Sequence, residues 1–102
     1  VNACYGGHEF WLELKCTTND TVSLTPFQVS WHMRRAAAGG RSWILVSHSK
    51  HKVLSLHHGH DALMILEDGL SSSKAFSYSA PIDWVQFLND VCLTDSLGRS
   101  TA

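Results

Sequence analysis

Long apolar runs are missing from this chain: the two longest, over 43–46 and 62–66, fall far short of the roughly 20 residues that a bilayer-spanning helix needs. A soluble chain with no membrane partner and a cytoplasmic location is expected, the host cytoplasm if a phage encodes it. Cysteine is scarce and dispersed. Cys4, Cys16 and Cys92 form an odd set with no CxxC pair, which argues against a disulfide framework and a cysteine zinc site and suits a reducing compartment. Internal repeats are absent too. With 102 residues, 44% of them apolar, one modest core is available and two are not. A single domain over 1–102 is expected, with 94–102 a flexible tail. Val1 is not Met, and no basic stretch leads into an apolar segment, so any leader is expected to be absent or already removed.

Acids are missing where bases collect. Between Thr21 and His60 there is no Asp or Glu, yet Arg34, Arg35, Arg41, Lys50 and Lys52 lie there, with six of the 7 histidines. The acids flank this stretch, so the net charge of -1 hides a segregation that fits either one positive surface for a polyanion such as nucleic acid, with an acidic surface elsewhere, or simply a solvated basic helix and loop.

From residue 9 to 16 the residues alternate. Glu9, Trp11, Glu13 and Lys15 point one way, and Phe10, Leu12, Leu14 and Cys16 form an apolar face, which predicts a strand. Gly6 and Gly7 read as the turn of a preceding hairpin. Thr25-Pro26-Phe27-Gln28 combines an N-cap, a proline at the first helical position and a glutamine at N3, so a helix should start there and stop at Gly39-Gly40. Its apolar face would be Val29, Met33, Ala36 and Ala37, and Gln28, His32 and Arg35 would form a polar stripe. Residues 42–47 and 52–57 predict two further strands, 62–68 either a short helix capped by Asp61 and closed by Gly69 or a strand, and 71–79 a serine-rich loop. A last helix follows Pro81 and carries Trp84, Val85, Leu88 and Val91 or Cys92. The strand-helix-strand order favours parallel pairing of the strands holding Glu9 and Trp43. The expected class is α/β, a mixed sheet with flanking helices.

Two groups of residues carry chemistry. Glu13 and Lys15 are two apart in a strand, so a carboxylate and an ammonium share a face with α-carbons roughly 7 Å apart. Glu13 can bind a hard divalent ion, the Leu14 backbone carbonyl can add an oxygen, and Lys15 can position or deprotonate a water. The second group is the histidine-rich stretch His57-His58-Gly59-His60-Asp61 with His48 and His51, a possible set of zinc ligands. Neighbours in a strand point to opposite faces, so His57 and His58 do not easily share one ion, and a structural turn or a phosphate-contacting surface is expected ahead of a metal site. Trp31, Trp43 and Trp84 are expected in the core or at a dimer contact, and Trp11 beside Glu13.

The run Phe10-Trp11-Leu12-Glu13-Leu14-Lys15-Cys16, a polar loop, Leu24-Thr25-Pro26-Phe27-Gln28, Ala38-Gly39-Gly40 and Trp43-Ile44-Leu45-Val46 resembles the core of the PD-(D/E)XK nuclease superfamily, nearest to virus-type replication-repair nucleases and phage Holliday-junction resolvase-like enzymes. The resemblance covers residue 1 to about residue 46. It implies a restriction-endonuclease-like core and a Mg²⁺- or Mn²⁺-dependent endodeoxyribonuclease of DNA repair or recombination, acting on branched or structured DNA as a homodimer. Glu13 would be the metal-binding carboxylate, Lys15 the catalytic lysine and Gln28 the helix glutamine facing the metal. His32, Arg34, Arg35, Arg41, Lys50 and Lys52 would contact DNA. The superfamily's Pro-Asp upstream of the glutamate has no counterpart, since no acid lies between Val1 and His8; residues 1–7 read like those that follow such a pair, so the expectation is either that the chain has lost its beginning or that Asn2 or Glu9 is a weak substitute. The competing expectations are a non-cutting, DNA-binding relative and a zinc-binding protein built on the histidines.

Overall fold

The computed structural model describes residues 1–94, which form five strands and three helices. The strands are β1 (Asn2–Tyr5), β2 (His8–Thr17), β3 (Ser42–His48), β4 (Val53–His58) and β5 (Ala75–Ser79). The helices are α1 (Pro26–Ala37), α2 (Ala62–Asp68) and α3 (Trp84–Leu93). One mixed sheet runs in the order β1-β2-β3-β4-β5, antiparallel except that β2 and β3 are parallel. Glu13 lies opposite Ile44 in that parallel pair, and α1 is the crossover. Gly6 and Gly7, both at positive φ, make the two-residue turn that pairs Tyr5 with His8.

Alternation along the strands sorts the core into two layers. Phe10, Trp43, Leu56 and Tyr78 pack against Phe87, Val91 and Cys92 on the α3 side. Ile44 and Val46 meet Leu24, Val29, Ala62, Ile65 and Leu70 on the α1 and α2 side. Glu13 and Lys15, offset from Leu12, therefore face α1. Trp43 anchors the first layer, its indole Nε1 donating to the Val91 carbonyl at 3.2 Å.

Several expectations are corrected. The serine-rich stretch holds β5: its Phe76 and Tyr78 alternate inward while Ala75, Ser77 and Ser79 stay exposed. Leu14 (57% exposed) and Cys16 are not packed, because the α3 layer covers this face of β2 only at Phe10 and Leu12. The buried side of α1 is Val29 and His32, whereas Met33 and Ala37 are exposed. Of the three tryptophans expected in the core or at a dimer contact, Trp43 is in the core, Trp31 is half-buried, and Trp84 is exposed, as a dimer contact would be in a lone chain. Asp61 makes no side-chain cap at α2; its carboxylate accepts from Ser73 Oγ at 2.8 Å and lies 3.0 Å from His60 Nε2. Of the expected tail, Thr94 is buried, and 95–102 lies outside the described residues. Among the described residues no helix is long and apolar enough to cross a membrane.

Candidate catalytic pocket at the β2–α1 junction

The site grows from the start of α1. Thr25 caps the helix, its hydroxyl accepting from the Gln28 amide nitrogen at 3.1 Å, and Gln28 closes the capping box by accepting from the Thr25 amide with Oε1 at 3.0 Å. That reciprocal bond fixes which way the glutamine amide points. The same Oε1 accepts from Lys15 Nζ at 3.3 Å, so the helix cap and the strand lysine meet on one oxygen. Glu13, one pleat back along β2, lines a pocket of about 290 Å³ with Trp11, Phe27, Gln28 and Trp31. Glu13, Lys15 and Gln28 are thus brought together at the junction of strand and helix. The Leu14 carbonyl belongs to the other set of β2 amides. Leu12, two residues earlier, exchanges hydrogen bonds with Val1, while Trp11 and Thr17 bond toward β3, so alternation turns the Leu14 carbonyl to the β1-side edge, one step past the last paired residue.

Behind the carboxylate stands His32, fully buried. Its Nδ1 is hydrogen-bonded to Ser42 Oγ, and its Nε2, with no hydrogen-bond partner, lies 3.9 Å from Glu13 Oε1. Burial, and then the Lys15 charge, push the His32 pKa down to about 4. The ring is neutral at pH 7, so it places no positive charge beside Glu13, whose side chain keeps 24% of its surface exposed. Gly59 packs on Ser42 so closely that a Cβ there would come 2.5 Å from Ser42 Oγ, which holds the backing of the site against β3.

The expected DNA-contacting residues divide. His32 is inside the protein, which removes it from any surface that meets DNA; its polar character serves the bond to Ser42 instead. Arg34 and Arg35 line a shallow basin of about 380 Å³ with Trp31, next to the Glu13 pocket. The Arg35 guanidinium lies over the Trp31 ring at 5.5 Å and donates to the Arg41 carbonyl at 3.2 Å. Arg41 is half-buried at the entry of β3. Lys50 and Lys52 are exposed in the β3–β4 turn, at the opposite end of a seven-residue strand, about 20 Å away at 3.3 Å per residue. The basic residues therefore form two separate surfaces, not one.

Histidines at the other end of the sheet enter a hydrogen-bonded chain. His48 Nε2 and His57 Nε2 both bond Ser55 Oγ, at 2.7 and 2.8 Å; His57 Nδ1 bonds Ser73 Oγ at 3.0 Å, and Ser73 bonds Asp61. Burial, then the neighbouring His48, lower the His57 pKa to about 4 against the opposing pull of Asp61 and Asp20. His58, on the opposite face, stacks on Trp43 with ring centroids 4.0 Å apart. Among the described residues no three His, Cys, Asp or Glu side chains are placed to hold one metal ion. Sequence reasoning missed Phe27 and Trp31 as pocket walls and Ser42 as the His32 partner. The i, i+4 spacing of Phe27 and Trp31 was a usable signal; nothing in the sequence marked Ser42.

In comparisons with known proteins, no family model, no curated protein and no solved structure matches the chain.

Proposed function

We propose that this protein is a metal-dependent DNA endonuclease with a restriction-endonuclease-like core, that it hydrolyses phosphodiester bonds in branched or otherwise structured DNA, and that Glu13, Lys15 and Gln28 are its catalytic residues. The observation that carries the reading is the meeting of Lys15 Nζ with Gln28 Oε1 beside an accessible Glu13 carboxylate. The capping box accounts for where Gln28 sits, but not for an ammonium and an accessible carboxylate of β2 meeting it there.

The donor set fits Mg²⁺ or Mn²⁺ in a particular way. Mg²⁺ is commonly bound by one or two carboxylates, with water and substrate phosphate completing its shell. Glu13, facing a neutral imidazole, offers one such carboxylate, and Leu14 offers its carbonyl on the β2 edge. The ion, when bound, supplies charge neutralisation at the phosphate and a more acidic water. Lys15 brings a compact positive charge to the same face for the charge that develops on the phosphate. Gln28 holds that ammonium in place, and the Thr25 amide holds Gln28. A homodimer would place two such sites on opposite strands.

The test is cleavage of a labelled four-way junction and of matched duplex by the purified chain, in Mg²⁺ and in EDTA. Cutting that requires Mg²⁺ and disappears in Glu13→Gln, with DNA binding retained, supports the reading. The set of a single acidic side chain also suits a binding-only relative. DNA binding without any cleavage, before and after the substitution, would establish that alternative and overturn the enzyme.

A further inference from the structure

Catalysis explains Glu13, Lys15 and Gln28, but not the three aromatic rings around them. Phe27 sits in the first turn of α1 with 72% of its surface exposed. Trp31, one helical turn later on the same side, contacts Trp11 of β2 with ring centroids 4.9 Å apart and planes tilted by 54°. Neither Phe27 nor Trp31 belongs to a core layer. The exposed Phe27 ring has no packing role, and with the partly buried Trp11 and Trp31 it walls an opening of about 290 Å³, near the lower end of pockets that enclose small ligands. Trp11 and Trp31 touch, so a flat ligand does not slide between them, and the ring face left open to it at this pocket is that of Phe27.

What the pocket would hold follows from its surroundings. Its polar lining is the Gln28 amide and the Glu13 carboxylate. Gln28 Oε1 already accepts two hydrogen bonds, which leaves its Nε2 donors for an acceptor on a ligand, while the Glu13 carboxylate is committed to the metal. Cations border the opening on both sides: Lys15 at the glutamine, and Arg34 with Arg35 across the Trp31 ring. A flat ring with an acceptor on its edge, carried on a chain with a negative charge on each side, is a nucleotide within a strand. Bases in a duplex present no free face, so the base must be unpaired.

We infer that the pocket of Trp11, Phe27 and Trp31 takes one unpaired nucleobase of a DNA strand, stacked against Phe27, while the Arg34–Arg35 basin takes an adjoining phosphate. The inference rests on the nuclease reading for its placement beside the scissile phosphate, and it narrows that reading's substrate class: a flap, a gap or a branch point with frayed pairs presents an unpaired base, and a plain duplex does not. Stacking is insensitive to base identity, so the site selects DNA structure over sequence.

The test uses the full chain without metal. A dye-labelled single-stranded oligonucleotide and a duplex of the same length are titrated by anisotropy, and a 2-aminopurine base in the single strand reports stacking. The wild type should prefer the single strand and quench 2-aminopurine. Phe27→Ala, at an exposed position, should lower the single-strand to duplex affinity ratio by about 5- to 150-fold, the range that alanine substitution of a base-stacking ring produces, and abolish the quench. Phe27→Trp should restore both. An unchanged ratio in Phe27→Ala, or no quench in the wild type, overturns the inference. If Mg²⁺- and Glu13-dependent cleavage persists in that case, only the base pocket has failed. If neither DNA form binds, the nuclease reading fails with it.

Discussion

Acid should begin to weaken this protein above the pH at which carboxylates titrate, and two buried imidazoles set the window. His32 and His57 are 0% and 2% exposed, and both have a folded-state pKa of about 4 against 6.5 for a free ring. A depressed histidine pKa means that the unfolded chain takes up a proton the native protein refuses, so stability falls as the pH drops through 6.5 and levels off below about 4. The interval from 6.5 to about 4, at 1.36 kcal/mol per pH unit, costs about 3 kcal/mol for each ring. Two rings together remove about 6 kcal/mol, a large share of the 5–15 kcal/mol that holds a typical domain. Urea unfolding followed by tryptophan fluorescence between pH 7.5 and 4.5 should show a falling midpoint at constant slope, and His32→Gln should flatten the curve by about one proton. Histidine NMR should show both rings still neutral at pH 5.5. Stability that is level between pH 7 and 5, or either ring titrating near 6.5, would refute the reasoning.

Thr25→Ala removes the hydroxyl half of the capping box and should cost about 1 kcal/mol in urea unfolding. Trp43→Ala empties the centre of the α3 layer, where the indole is 1% exposed and bonded to Val91, and should cost about 3–5 kcal/mol in the same measurement. Isothermal calorimetry should find weak Mg²⁺ uptake by the free protein, much tighter with a Glu13→Gln-sensitive DNA complex, because one carboxylate needs substrate phosphate to complete the shell; tight uptake without DNA would count against that arrangement.

The part of the fold readable from sequence is the part in which local signals agree. The 9–16 alternation, the Thr25-Pro26-Phe27-Gln28 start and the paired glycines specify β2, α1 and the crossover to β3, and the parallel pairing follows from connection length. Those same signals place Glu13, Lys15 and Gln28, since a strand face and a helix first turn each have one geometry. β5 was obscured because serine and alanine dominate it, although Phe76 and Tyr78 alternate as a strand requires. His32 misled because a polar residue on a helix suggests solvent, and only the tertiary fold brings Ser42 against its ring. Leu14 looked like core for a different reason: alternation tells which face a residue takes, not how far along the strand a covering helix reaches.

The most direct examination of the account is whether Lys15 and Gln28 act as one unit in cleavage. Single-turnover rates on a junction substrate would be measured for Lys15→Ala, Gln28→Ala and the double variant in saturating Mg²⁺. Each single change should slow cutting by about 10²-fold, as removal of one charge-stabilising donor does, and the double variant should be about as slow as the slower single. Losses that multiply in the double variant, or a Gln28→Ala enzyme that cuts at the wild-type rate, would contradict it.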